Sequence, residues 1–98
     1  MDNARLSRRA AQDLEDIYLN TDGLFGHYQA EAYLTGLERT IGLVADFPDI
    51  GLNASEIFPN LKRFRFQMHY VFYMIEPDHV FIRTIIHARQ QLRRELFD

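Results

Sequence analysis

A chain of 98 residues with 47% hydrophobic and 13% aromatic content is a folded domain with a single core, and the absence of cysteine excludes a disulfide framework or a thiolate metal site. No apolar run approaches bilayer length and the N-terminus carries no signal-peptide core, so we expect a cytoplasmic protein with no membrane partner. The net charge of -3 hides an asymmetry: residues 1–56 carry four arginines against ten carboxylates, whereas residues 57–98 carry seven basic residues against four carboxylates. The second half therefore suits a polyanion or an acidic peptide, unless its arginines pair with the acidic first half.

Residues 2–6 read as a short strand able to add to a sheet edge. Ser7 has the side chain of a helix N-cap, and Ala10, Ala11, Leu14, Ile17 and Tyr18 then recur at helical spacing until Thr21-Asp22-Gly23 ends the run. Ala30, Tyr33, Leu34, Leu37, Ile41 and Val44 form a second stripe. It stops at Phe47-Pro48, because a residue before proline is pushed out of the helical region. The short link between the stripes implies an antiparallel helical hairpin. Residues 48–60 have no period, and turn signals at Asp49-Ile50-Gly51 and Phe58-Pro59-Asn60 mark a crossing loop.

Residues 61–89 read as three strands. Arg63 and Arg65 alternate with Phe64 and Phe66, the pattern of a half-buried strand. Residues 69–76 are almost continuously apolar, as in a strand covered on both faces, and residues 79–87 are again rich in β-branched side chains. Reversals at Gln67-Met68 and Pro77-Asp78 make an antiparallel meander with the middle strand at its centre. Residues 88–97 add a last helical turn or two anchored by Leu92, Leu96 and Phe97. The expected architecture is one α+β domain over residues 1–98. A short N-terminal strand and a helical hairpin pack on an antiparallel sheet of three to four strands, in the order β-α-α-β-β-β with a short C-terminal helix.

His69, His79 and His87 flank the strands without an HxH or HxxxH spacing, so we expect them apart and expect no metal. The five glycines are dispersed, leaving no phosphate loop, and no cofactor is implied. One constellation remains: Arg63, Arg65, His87 and Arg89, at strand ends that neighbouring strands bring together. Guanidiniums beside an imidazole can hold phosphate and move protons, which suffices for metal-free RNA cleavage. They can equally grip an acidic partner or form a solvated basic edge, and spacing leaves all three readings open.

Residues 61–91, with an arginine-rich strand, His69-Tyr70-Val71-Phe72-Tyr73 and a terminal Ile86-His87-Ala88-Arg89, resemble the C-terminal half of toxins of the ParE/RelE superfamily, more narrowly the ParE branch. Phe47-Pro48-Asp49-Ile50-Gly51 resembles the link that joins helices to sheet in that branch. The resemblance implies the toxin of a type II toxin–antitoxin pair, in a hetero-oligomer with a cognate antitoxin, ParD-like or another small DNA-binding protein. The antitoxin would lie on the hairpin residues Leu14, Ile17, Tyr18, Tyr33 and Leu37 or on the open sheet edge. The ParE branch further implies DNA gyrase as the target, bound through Arg63, Arg65, His87 and Arg89, without enzymatic activity. The RelE branch implies a ribosome-dependent endoribonuclease of messenger RNA, with Arg65, His87 and Arg89 as its catalytic set. The single lysine, Lys62, and the placement of the last tyrosine, Tyr73, inside a strand depart from the nuclease pattern and favour the gyrase reading.

Overall fold

The computed structural model describes residues 3–97. Its first strand, β1 (Ala4–Leu6), lies parallel to the last, β5 (Val80–His87), with Ala4 opposite Val80 and Leu6 opposite Ile82. Asp2, the first residue of the expected strand, lies outside the described residues. Ser7 then does three things. Its amide donates to the Ile82 carbonyl at 2.9 Å, and its hydroxyl donates to the Arg83 carbonyl at 2.6 Å. The same hydroxyl accepts from the Ala10 amide at 2.9 Å, capping α1 (Arg8–Phe25) as expected.

Helix α1 runs past the expected stop at residues 21–23. The Thr21 hydroxyl folds back onto the Ile17 carbonyl at 2.7 Å and so stays compatible with the helix, and Gly23 costs only its backbone entropy. The break falls at Gly26, whose φ of 93° and ψ of 169° suit glycine alone, and α2 (His27–Asp46) begins at the next residue. A one-residue link leaves the helices no choice but to fold back on each other.

The sheet has five strands in the order β1-β5-β4-β3-β2. It is mixed because β1 enters parallel, and it gains a strand because β2 (Leu52–Asn53), inside the crossing loop, pairs antiparallel with Arg63 and Lys62. Strands β3 (Lys62–Phe66) and β4 (His69–Ile75) meet at the expected Gln67-Met68 reversal, where Gln67 takes a positive φ of 48°. Between β4 and β5 the register slips: Tyr73 faces Ile82 but Phe72 faces Thr84, leaving Arg83 without a partner. Asp13 of α1 closes this bulge. Its Oδ2 accepts from the Thr84 hydroxyl at 2.6 Å and from the Ile85 amide at 2.9 Å. The expected C-terminal helix reduces to a 3₁₀ turn over Arg94–Phe97.

Two apolar clusters cover the two faces of β4. On the helix side, Leu37, Ile41 and Val44 of α2 pack on Val71, Tyr73 and Ile82. On the outer side, Phe72 and Ile86 lie under Ala54, Leu61 and Phe97, which come from the crossing loop and the C-terminal turn. The near-continuous apolar sequence of β4 follows from this double burial. Tyr73 is fully buried, and its hydroxyl donates to the Pro48 carbonyl at 2.6 Å while accepting from the Gly51 amide at 3.0 Å. A Cβ at residue 51 would collide with that hydroxyl, which is why the link from helix to sheet ends in glycine.

Two substitutions test this account by denaturant melts. Tyr73→Phe strands the Gly51 amide and the Pro48 carbonyl and should cost about 1–3 kcal/mol. Gly23→Ala, in a helix with nothing within 4 Å of the new methyl, should instead gain about 0.5–1 kcal/mol.

Candidate functional site

Alternation along β3 turns Phe64 and Phe66 toward the helices, where they pack on the first cluster, and Arg63 and Arg65 outward. Across the ladder Arg65 faces Tyr70, and both guanidiniums stack on that ring, Arg63 at 5.2 Å and Arg65 at 5.4 Å from its centroid. The Arg65 Nε donates to the Gln67 carbonyl at 2.7 Å, whereas the Arg63 Nε is buried without a hydrogen-bond acceptor. Among the described residues the ion pairs are Arg5 with Asp78, His27 with Glu31 and His79 with Asp78. The arginines of the sheet are therefore not neutralised by the acidic helices, and like charges converge on Tyr70.

His87 lies elsewhere. It faces His69 across the β4–β5 ladder, the two rings meeting edge to face with centroids 5.1 Å apart. This corrects the expectation that the histidines stay apart; only His79, bonded to Asp78 at 2.7 Å, does so. His69 and His87 point toward the helices and line a cleft of about 310 Å³ with Asp13, Asp16 and Asn20 of α1. Arg65 and His87 thus sit on opposite faces of the sheet, and the set Arg65, His87, Arg89 does not converge as the nuclease arrangement requires. Arg89 is exposed beyond β5, and its backbone amide donates to the His87 Nδ1 at 3.0 Å.

The sequence also missed a partner of His69. The Tyr33 hydroxyl of α2 accepts from the Met68 amide at 3.2 Å and lies 2.7 Å from the His69 Nδ1 and 3.5 Å from the Phe66 carbonyl. Burial of the ring, with His87 beside it, lowers the His69 pKa from 6.5 to about 4, so the imidazole is neutral at pH 7. Burial likewise raises the Tyr33 pKa. A neutral His69 hydrogen-bonded to a tyrosine that holds its proton is a structural lock and a poor proton shuttle at neutral pH.

Of the five hairpin residues expected to meet a partner, Leu37 is fully buried and Leu14, Ile17 and Tyr33 pack on the core. The stripe read as a partner surface is the face that the hairpin turns to its own sheet. Tyr18 remains on the solvent side, its hydroxyl 2.7 Å from the His27 Nδ1. The most exposed large apolar side chains of the hairpin lie at its tip, where Leu24, Phe25 and Tyr28 are 66%, 67% and 90% accessible.

Residues 4–92 match the family model described as the ParE toxin of the type II toxin–antitoxin system parDE. The chain belongs to that family. Two curated relatives are each called Toxin ParE1. The one from Caulobacter vibrioides is 33% identical over 94% of this chain and 95% of its own length. The one from Mycobacterium tuberculosis is 32% identical over 93% and 94%. A solved structure titled "Chromosomal ParDE TA system from P. aeruginosa" shares the fold, with a TM-score of 0.79 at 16% identity over 89% of this chain and 96% of that one. Family membership and the ParE-like order of helices and strands agree with the resemblance carried by the arginine-rich strand and the Pro48–Gly51 link.

For this ParE-family toxin, His69 makes a pH prediction. Its folded pKa lies below the ordinary value, so between pH 6.5 and about 4 the unfolded chain takes a proton that the folded one refuses. Stability should fall as the pH drops through that window, by on the order of 1 kcal/mol once solvent screening of this half-exposed ring is allowed for. Urea melts at pH 7.5 and 4.5 check it. His69→Asn should lose less stability across the interval than the unaltered chain, and equal losses in both would refute the assignment.

Proposed function

We propose that this toxin inhibits DNA gyrase by binding it, and that a cognate antitoxin neutralises it. Family membership carries the reading. The un-neutralised arginine pair on Tyr70 supports it, since it offers an acidic protein surface two rigid guanidiniums, as does the separation of Arg65 from His87, which removes the convergent set a nuclease would use. In this reading Arg63, Arg65 and Arg89 engage the target electrostatically, while His87 acts by holding the chain beyond β5 through the Arg89 amide. The antitoxin covers the exposed hairpin tip around Leu24, Phe25 and Tyr28, together with Tyr18, and so removes apolar surface that the free toxin leaves in water.

Purified toxin added to a gyrase supercoiling reaction should block supercoiling, and co-expressed antitoxin should restore it. Arg65→Ala should raise the inhibitory concentration about tenfold at low salt and less at high salt, because an exposed charge acts through a screened field. Codon-dependent cuts in message on programmed ribosomes, with supercoiling unaffected, would replace this reading with the nuclease one.

A further inference from the structure

A second cluster of arginines lies away from Tyr70, where the start of α1 meets β5 and the C-terminal turn. A cleft of about 390 Å³ opens there, lined by Ser7, Arg8, Arg9, Arg83 and the apolar side chains of Phe81, Leu96 and Phe97. Three guanidiniums border it and no carboxylate lines it. The Arg83 guanidinium is held 5.0 Å from the Phe58 ring centroid and 5.8 Å from that of Phe81, and Arg94 lies 5.7 Å from the same Phe58 ring. Among the described residues none of these four arginines makes an ion pair. The Ser7 hydroxyl already occupies the Ala10 amide, so the side chains carry the site.

We propose that this cleft binds a phosphate group carried on a planar or apolar body, as in a nucleotide or the phosphorylated end of a nucleic-acid strand. Three arginines lining one cleft carry more forked donors than the two oxygens of a carboxylate can satisfy, whereas a phosphate offers oxygens to each fork. The bulge at Arg83 is what supplies the central fork. Thr84 and Ile85 turn back to Asp13, while Arg83 projects into the cleft with its carbonyl tied to Ser7. Phe81 and Leu96, both partly exposed, form an apolar wall beside the phosphate position, suited to a base or another flat group. This site goes beyond gyrase inhibition and does not depend on it.

The test is titration of the whole chain, at 50 mM salt, with pyrophosphate, a mononucleotide, a 5′-phosphorylated oligonucleotide, its 5′-hydroxyl counterpart and a glutamate-rich peptide. Phosphate-bearing ligands should bind, with the mononucleotide tighter than pyrophosphate. Arg83→Lys, which keeps the charge and loses the fork, should weaken binding about tenfold, as should Arg8→Ala with Arg9→Ala at exposed positions that carry none of the core. Arg39→Ala on α2 should change nothing. A 5′-phosphate preference among the oligonucleotides points to a strand end, and tighter binding of the free nucleotide points to the small molecule. Equal binding of the glutamate peptide and the phosphorylated ligands, no binding of any phosphate, or an unchanged affinity in Arg83→Lys would each overturn the proposal.

Discussion

Arg83 has no partner on β4, and the way the start of the chain meets the last strand depends on that one extra residue. Beyond Leu6 the outer edge of β5 has no neighbouring strand, so its backbone groups need other partners. Ser7 takes the Arg83 carbonyl and Asp13 takes the Ile85 amide. Both come from the beginning of the chain, one as the cap of α1 and one from its second turn. The helix thus completes the sheet edge with side chains where β1 stops, and the bulge is held by hydrogen bonds that a regular strand would not need. On the far side of the bulge the faces of β5 are exchanged, which places Ile85 under the helices and Ile86 on the outer face.

The Tyr73 hydroxyl constrains the opposite side of the sheet in the same manner. A buried phenol on the central strand needs partners, and it finds them in the backbone of the link that leaves α2. That link carries the chain into β2, so the tyrosine also fixes where the second sheet edge begins. Both edges therefore rest on a polar side chain reaching a backbone group far away in sequence. Both are also short, three residues for β1 and two for β2, which leaves little open ladder for another chain to join.

These dependencies explain what could be read from the sequence. The two helices are visible because their stripes recur at a local spacing, and the three main strands because β-branched and aromatic residues crowd between turn signals. The outward placement of Arg63 and Arg65 follows from alternation over five residues. The face that His87 takes is not legible in the sequence, for a definite reason. Counting from Pro77-Asp78 without a bulge sets Ile85 beside Tyr70 and brings His87 to the arginine face. The observed slip moves Ile86 beside Tyr70 and turns His87 toward α1 and His69. Nothing within residues 79–87 announces the slip, because its cause is Asp13 and Ser7, some seventy residues earlier. The Tyr33–His69 bond was hidden likewise, since a tyrosine on an apolar stripe reads as core until the facing strand is known.

The parallel pairing of β1 with β5 also orders events in time. Ser7 and Arg83 are 76 residues apart, so neither the bonds from Ser7 to β5 nor the pairing of the first strand can form until nearly the whole chain has left the ribosome. The hairpin of α1 and α2 needs only local contacts and can assemble early, but its apolar stripe then has no sheet to cover it. During that interval the nascent chain carries the core face of two helices in water, and the last strand to be made is the one that closes it. Truncation just before β5 would leave β3 and β4 to cover α2 but would remove the strand against which α1 packs, so the fold is complete only when its final long strand is in place.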